Sequence, residues 1–313
     1  MLAPRNYLQR PHIRAVSSLI QDDFVAPFQI DAEPVRGRIV RLGAAVDQIL
    51  AAHAYPPAVA NLLGEACTLA ALVGASLKFE GRLIVQAQGD GPVAYVIADY
   101  DATGALRGFC RFDADRLARA CAETPRPGAG ELLGNGVFIM TVDPDGDRER
   151  YQGVTPIEGE TLALCAETNF SRSEQTPTRV RLAVGQADVG EGPRWRAGGL
   201  IIQNIAEDDA RGSTAEAWLR AQAHMATVAP DELIDPSVPA ETLLWRLFHE
   251  DGVRLFAPTA LRAFCRCSAE RIVGVLRAFG PDERAAMVEA DGKIGVTCEY
   301  CSKIYAMTPE AVG

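Results

Sequence analysis

Four cysteines near the end of the chain constrain its fold more than any other feature. Cys265 and Cys267 are one residue apart, Cys298 and Cys301 are two residues apart, and thirty residues lie between the pairs. Two close pairs separated by a loop are typical of metal sites, because each pair can supply one edge of the tetrahedron that Zn²⁺ prefers. No histidine lies in this segment. The spacing therefore predicts a four-cysteine site that holds one zinc ion per chain.

The same four sulfurs are candidates for oxidation. Cysteines bind metal as thiolates, and thiolates are what peroxide attacks. The C-terminal segment 264–313 is about fifty residues long, near the size at which an apolar core alone is insufficient, so metal binding and folding should be one event. The residues predict zinc binding when reduced, disulfides when oxidised, and loss of the local fold in between. A static zinc site is the alternative that the spacing leaves open.

Hairpin signals dominate the chain before residue 206. "RLIVQAQ" and "VAYVIADY" flank "GDGP", and "GVFIMTV" and "ERYQGVTPI" flank "DPDGD", so each set predicts a β-hairpin. "PPAVANLLGEACTLAALVGASLKFEG" is apolar nearly all round and predicts a buried helix that ends at Gly81. Hairpins with interspersed helices indicate the α+β class.

Two amphipathic helices with proline-rich breaks are predicted in residues 206–263. Each carries a narrow apolar stripe, formed by Trp218, Ala221, Met225 and Val228 on the first and by Leu244, Leu247 and Phe248 on the second. Short helices of this kind are marginal alone, so we expect them to dock against the sheet of the core. The predicted organisation is a hairpin-rich α+β core domain (1–205), a helical linker (206–263) and a small C-terminal zinc domain with four cysteine ligands (264–313).

Composition argues against several classes of function. The 313-residue chain has a formal net charge of −10, which disfavours nucleic-acid binding. No apolar run approaches the ~20 residues of a membrane span, and the N-terminus lacks the apolar stretch of a secretory signal. We therefore expect a cytoplasmic protein that binds neither nucleic acid nor membrane. In a reducing cytosol the isolated cysteines should be small buried hydrophobes; these are Cys67, Cys110, Cys121 and Cys165.

An ordered set of segments resembles a known family. The segments are "LLGEACTLAALVGASLKFEGRLIVQAQGDGPV", "RYQGVTPIEG", "SEQTPT", "AGGLIIQ", "LLWRLFHED", "FCRCSAER" and "VTCEYCSKIY". Together they are similar to the redox-regulated thirty-three-kilodalton heat-shock chaperone family, from about Gln29 to Pro309. The chain departs from the family at Asn169-Phe170, where two aromatics are frequent, and in an N-terminus whose residues before about Asp22 have no assigned role.

The resemblance implies an ATP-independent chaperone, a holdase, that binds unfolding client proteins under oxidative stress and is not an enzyme. It implies that the four C-terminal cysteines bind zinc in the reduced form, which is inactive. Oxidation would release zinc, form the disulfides Cys265–Cys267 and Cys298–Cys301, unfold the zinc domain and destabilise the linker. The oxidised protein would form a homodimer, and freed apolar surface would bind clients.

Two other functions compete with this interpretation. A C-x-x-C pair is found in thiol-disulfide oxidoreductases, but no thioredoxin-like βαβ unit precedes Cys298. A static zinc ribbon that binds nucleic acid would need a positive surface. Residues 265–313 carry seven acids against six basic residues, and a zinc ion with four thiolates adds a charge of about −2. No catalytic arrangement of side chains emerges from the sequence.

Overall fold

The computed structural model describes residues 22–31, 34–76, 80–146, 148–173, 175–190, 192–204 and 215–312. Their strands are β1 (Phe24–Ile30), β2 (Val35–Leu42), β3 (Gly81–Gly89), β4 (Val93–Asp101), β5 (Ala105–Phe112), β6 (Gly136–Pro144), β7 (Tyr151–Pro156), β8 (Thr178–Asp188), β9 (Pro193–Asn204), β10 (Val253–Leu255), β11 (Thr259–Ala260), β12 (Arg262–Ala263), β13 (Ile294–Thr297) and β14 (Ile304–Met307).

Helices alternate with these strands along the chain. They are α1 (Ala44–Ala51), α2 (Pro57–Gly74), α3 (Ala114–Glu123), α4 (Ala129–Leu133), α5 (Leu162–Ser173), α6 (Ala215–Ala226), α7 (Pro230–Ile234), α8 (Ala240–Phe248), α9 (Ala269–Leu276), α10 (Pro281–Ala286) and α11 (Pro309–Val312). The mixture of helices and largely antiparallel strands confirms the predicted α+β class.

Two sheets build the larger part of the fold. The first has the strand order β10-β1-β2-β9-β8, with β11 also paired to β1, and the second has the order β12-β5-β4-β3-β6-β7. Both predicted hairpins are present, since β3 pairs with β4 and β6 pairs with β7 in antiparallel register. The strands β13 and β14 form a separate two-stranded sheet near the C-terminus.

The helix α2 lies between the two sheets and contributes to a core that both share. Pro57 opens it, because proline lacks the amide hydrogen that the first turn leaves unbonded. The helix ends at Gly74, so the predicted end at Gly81 is wrong; Gly81 instead begins β3, and residues 77–79 lie outside the described residues. A Cβ at Gly74 would lie 2.2 Å from the Tyr100 ring, so this close approach requires glycine.

The apolar surface of α2 has a second consequence for the sequence prediction. Among the described residues it is the one helix whose length and composition would allow it to cross a membrane, although no such run was expected from the sequence. Of this stretch, 78% is buried inside the protein. Its apolar character is therefore accounted for by packing between the sheets.

The helices α6, α7 and α8 pack on the other face of the first sheet. Their stripe residues, including Ala221, Met225 and Phe248, are buried against Phe28 and Ile39 of the sheet, and Trp218 packs at the edge of this cluster. The predicted docking of the two stripes on the core is confirmed. The boundary between residues 205 and 206 lies outside the described residues, and the division into three domains stays a prediction.

Arg41 of β2 fixes the position of α7. Its side chain is 2% exposed and donates hydrogen bonds to the backbone carbonyls of Glu232 at 2.8 Å, Asp235 at 2.9 Å and Val238 at 3.0 Å. Hydrogen bonds from a buried charged donor are stronger than those between neutral groups. The docking of α7 therefore depends on polar bonds as well as on apolar burial.

The short strands β10, β11 and β12 connect α8 to the C-terminal segment. The first two pair with β1 of the first sheet, and β12 runs parallel to β5 of the second. The amide of Leu261 donates to the carbonyl of Asp23 at 2.7 Å, and the amide of Phe264 donates to that of Leu106 at 2.8 Å. Each of the three short strands in residues 253–264 is thus held to its sheet by only a few hydrogen bonds.

Replacing Arg41 should loosen the docked helices. We expect Arg41→Met to lower the free energy of unfolding by about 2–4 kcal/mol, because it removes three hydrogen bonds and leaves their carbonyls poorly satisfied. Urea unfolding followed by hydrogen exchange of residues 230–248 measures the effect. The control is Arg254→Met, which removes an exposed ion pair with Asp31 and should cost at most about 1 kcal/mol. Equal effects of the two substitutions would contradict the assigned role of Arg41.

Candidate metal centre

Two separate segments of the chain present the four clustered cysteines. Cys265 and Cys267 lie in the extended chain between β12 and α9, just before Ser268 caps that helix. Cys298 and Cys301 flank the turn between β13 and β14. The amide of Ser302 donates to the carbonyl of Cys298 at 2.8 Å, and the amide of Cys298 donates to the carbonyl of Lys303 at 3.0 Å. This turn directs both of its sulfurs toward the first pair.

The four sulfurs form one compact cluster. All lie within 4.8 Å of one another. The Sγ atoms of Cys265 and Cys298 are 3.6 Å apart, and those of Cys267 and Cys301 are 3.4 Å apart. A Zn–S bond near ~2.3 Å requires sulfur–sulfur edges of about 3.8 Å in a tetrahedron. The cluster therefore has the size and the donor set for a single tetrahedral metal ion, and its assignment as a zinc site stays a prediction.

Neighbouring groups affect the four thiols unequally. Burial opposes ionisation of Cys267, but hydrogen bonds from the Tyr305 hydroxyl, at 3.2 Å, and from the other thiols lower the pKa of Cys267 to about 7. Burial raises the pKa of Cys301 to about 12, and the neighbouring thiols act in the same direction. Four negative sulfurs cannot share this volume without a compensating positive charge. A bound cation would supply that charge.

Little apolar packing supports the cluster. In the described part of the C-terminal segment, the buried apolar residues are Leu276, Ile294, Tyr305, Met307 and Val312. Partly buried side chains pack against them; these are Cys267, Ile272, Val273, Met287, Val288, Val296 and Cys298. A core of this size contributes too little to hold a domain together, and small domains of this kind use metals or disulfides. The sulfur cluster is therefore a structural centre of the segment.

The turn between Cys298 and Cys301 also contacts the second sheet. The ring of Tyr300 lies 4.0 Å from the Arg107 guanidinium and 4.8 Å from the Phe109 ring, and both partners belong to β5. Cation–π and edge-on aromatic contacts each contribute about 0.5–1.5 kcal/mol. Burial, helped by the charge of Asp99, raises the pKa of Tyr300 to about 12, so its hydroxyl stays neutral.

A buried carboxylate joins the other cysteine pair to the same sheet. Asp99 of β4, whose side chain is 3% exposed, accepts hydrogen bonds from Arg107 at 2.8 Å and from Arg266 at 3.0 Å. Arg266 lies between Cys265 and Cys267, so this ion pair anchors the first pair as Tyr300 anchors the second. Breaking a buried pair of this kind is costly, because the remaining charge has no partner.

His53 forms a third contact, from the end of α1. Its ring nitrogen Nε2 lies 2.9 Å from the Glu299 carbonyl, and its Nδ1 lies 3.1 Å from the Ser302 hydroxyl. Sequence reasoning identified the four sulfurs but missed these supporting residues. The positions of Arg266 and Tyr300 inside the two cysteine pairs were the available signal, whereas nothing in the sequence links Asp99 or His53 to the cluster.

The isolated cysteines lie elsewhere. Cys67, Cys110 and Cys165 are buried as expected, while Cys121 is partly exposed, so full burial was the wrong prediction for it. Burial raises the pKa of Cys67 and Cys110 to about 12, and that of Cys165 to about 11. These three thiols therefore stay protonated at neutral pH and react slowly with oxidants.

Comparison with known proteins adds an independent observation. The family described as Hsp33 protein matches residues 23–308. A 33 kDa chaperonin from Caulobacter vibrioides is 66% identical over 290 residues, which cover 93% of this chain and 96% of that protein. A 33 kDa chaperonin from Cronobacter sakazakii is 36% identical over 291 residues, which cover 92% of each.

A solved structure has the same fold. The crystal structure of a 33 kDa chaperonin from Thermotoga maritima superposes with a TM-score of 0.73 at 21% sequence identity. The superposition covers 93% of this chain and 96% of that one. At 21% sequence identity, the superposition shows that the two proteins share a fold.

Removing the Tyr300 ring should weaken the contact between the C-terminal segment and the second sheet. We expect Tyr300→Leu to cost about 1–2 kcal/mol of docking, which corresponds to a roughly 5–30-fold increase in hydrogen exchange of the amides in residues 298–303. The control is Phe279→Leu, which removes an exposed aromatic of the same segment. If both variants exchange like the unsubstituted protein, the Tyr300 contact does not hold the segment.

The isolated cysteines should be dispensable for chemistry at the cluster. Replacing each of Cys67, Cys110, Cys121 and Cys165 by Ala should leave the reactivity of the other four thiols unchanged. A buried position should lose about 1–3 kcal/mol of stability, because the substitution leaves a small cavity. Mass spectrometry after peroxide treatment counts the oxidised residues in each variant. Loss of oxidation at the cluster in any of them would show that the redox set is larger than four.

Proposed function

The chain belongs to the Hsp33 family, and from this premise we propose that it is a redox-regulated, ATP-independent holdase that binds unfolding proteins under oxidative stress. Its relatives are named chaperonins and not enzymes, in agreement with a protein that binds clients without catalysing a reaction. The observation that carries the proposal is the cluster of four sulfurs within 4.8 Å of one another. The cluster lies in a segment with little other support.

In the reduced state Cys265, Cys267, Cys298 and Cys301 hold one Zn²⁺ as four thiolates. The ion supplies positive charge that offsets the repulsion between the sulfurs, and it closes the segment around its small core. Held in this way, the turn keeps Tyr300 against Arg107 and Phe109, and Arg266 stays paired with Asp99. The zinc-bound form is the inactive one.

Peroxide oxidises the four ligands. Each pair of thiolates loses two electrons to one molecule of H2O2, which takes up two electrons and two protons to become two molecules of water, and one disulfide forms. Two disulfides leave no thiolate for the metal, so zinc is released. The proposed pairs are Cys265–Cys267 and Cys298–Cys301.

The alternative pairing would follow the short contacts between the two cysteine pairs, Cys265 with Cys298 and Cys267 with Cys301. Those contacts depend on the folded segment. Oxidation of the first ligand weakens the metal site and loosens the segment, and in a loosened segment closure of a loop of two or three residues costs less entropy than closure of one with more than thirty. Pairing of sequence neighbours is therefore favoured in the loosened segment.

Unfolding of the segment removes the anchor of residues 253–264. The strands β10 to β12 are short, so their pairing with β1 and β5 weakens when the chain beyond them is free. The helices α6 to α8 then release from the first sheet, and both surfaces expose apolar residues such as Phe28 and Phe248. This surface binds unfolded clients and, in the oxidised form, a second copy of the chain. The protein acts in the cytoplasm without nucleic-acid or membrane partners.

One experiment tests the proposal. Protein purified under reducing conditions should contain one zinc ion per chain and should not suppress aggregation of a heat-unfolding enzyme. Peroxide should release the zinc, measured with a chromogenic chelator, and suppression should appear together with that release. Cys301→Ser should bind zinc poorly and be partly active without peroxide, whereas Cys121→Ser should behave like the unsubstituted chain.

Three results would contradict the proposal. Protein without zinc and with four free thiols would overturn the metal site. If the protein suppresses aggregation equally before and after peroxide treatment, it is a chaperone without a redox switch. Catalytic turnover of a dithiol substrate, lost in Cys298→Ser, would favour the oxidoreductase.

A further inference from the structure

A cavity of about 200 Å³ opens between the two sheets and is lined by no residue of the C-terminal segment. Its floor, the apolar part of the lining, brings together side chains from α2, β3, β6 and α5; they are Val73, Leu83, Met140, Val142 and Phe170. The polar side chains of Ser76, Tyr151 and Gln203 also line the cavity. The zinc-dependent switch makes no use of this cavity. The polar groups that line the cavity are the reason to assign a ligand to it.

Two arginines of β2, Arg36 and Arg38, line the cavity, and no carboxylate is found among the described residues that line it. The Nε of Arg38 is buried and has no hydrogen-bond partner in the described part of the chain. Burial lowers the pKa of Arg38 to about 10, and the nearby charge of Arg36 acts in the same direction. A partly buried cation without a partner destabilises a fold unless an anion offsets its charge.

The buried amide of Asn169 points to the same kind of ligand. Asn169 is 2% exposed and lines the cavity, and its Nδ2 donates no hydrogen bond to any described residue. Buried donors in native proteins almost always have an acceptor, so an unsatisfied one calls for a specific explanation. Arg38 and Asn169 thus place two donors with free capacity at one cavity.

The volume of the cavity and its apolar floor exclude several classes of ligand. At about 200 Å³ the cavity is smaller than the roughly 300–1,000 Å³ of sites that hold drug-sized ligands. This is too small for a nucleotide or a long-chain fatty acid. An inorganic anion would satisfy the donors but leave the apolar floor uncovered.

We propose that this cavity binds a small organic carboxylate, whose charged group accepts hydrogen bonds from Arg38 and Asn169 and whose short aliphatic chain packs on the floor formed by Val73, Leu83 and Phe170. The exposed Arg36 at the rim attracts the anion without a buried contact of its own. This assignment is independent of the redox switch, because none of these residues contacts the cysteine cluster.

Calorimetry with pentanoate on the reduced full-length chain at low salt tests the assignment. The unsubstituted protein should bind pentanoate, and Arg38→Met should weaken binding about tenfold or more, as expected for the loss of a charge-assisted hydrogen bond. The control, Arg111→Met, removes an equal charge from an exposed position on β5 and should bind as before. Pentanol has the aliphatic chain without the negative charge, and inorganic phosphate has the charge without the chain. Both should bind more weakly than pentanoate.

Three binding results would overturn the assignment. They are equal pentanoate affinity in Arg38→Met and the unsubstituted chain, phosphate binding as tight as that of pentanoate, and no pentanoate binding at all. Urea unfolding separates binding from packing, since Arg38→Met removes an unpaired charge and should be at least as stable as the unsubstituted protein. A large loss of stability would make Arg38 a packing residue and would also overturn the proposal. Asn169→Leu, tested in the same way, should weaken pentanoate binding independently.

Discussion

Four thiolates can occupy a volume less than about 5 Å across only if a cation offsets their repulsion, and the rest of the C-terminal segment depends on that balance. The segment buries few apolar side chains of its own. Its two cysteine pairs nevertheless position Tyr300 and Arg266 against the second sheet. In the proposed function, a metal ion held by the four sulfurs therefore controls both whether the segment is folded and whether it is docked.

Chain connectivity extends this control to the apolar face of the first sheet. Residues 253–264 run from the end of α8 to Cys265 and pair with an edge of each sheet through strands of two or three residues. Such strands have few hydrogen bonds, so their order depends on what fixes their ends. The helices fix one end through Arg41 and the buried Phe248. In the proposed function, the metal centre fixes the other end. Loss of either anchor therefore destabilises the pairing of residues 253–264 with the two sheets.

Much of this arrangement is readable in the sequence, because its signals are local. Cysteine spacing identified the four sulfurs, turn residues identified the hairpins, and the stripes that include Met225 and Leu244 identified helices that must dock. Each of these patterns spans few residues and follows from the geometry of a turn, a strand or a helix.

The contacts that join distant elements were not readable. Asp99, Arg107 and Arg266 meet only after two strands and the cysteine turn are in place, and each alone looks like an ordinary surface charge. The glycine at position 74 is required by the close approach of Tyr100, which no local pattern indicates. The cavity around Arg38 likewise arises only when both sheets and α2 are assembled.

The central claim is that order at the metal centre holds the helices α6 to α8 on the sheet. Hydrogen exchange of residues 215–248, measured in the reduced zinc-bound protein and again after peroxide has released the zinc, tests it most directly. The account predicts that these amides are protected in the first state and exchange many times faster in the second, while α2 stays protected in both. Equal protection of α6 to α8 in the two states, with client binding present only in the second, would contradict it.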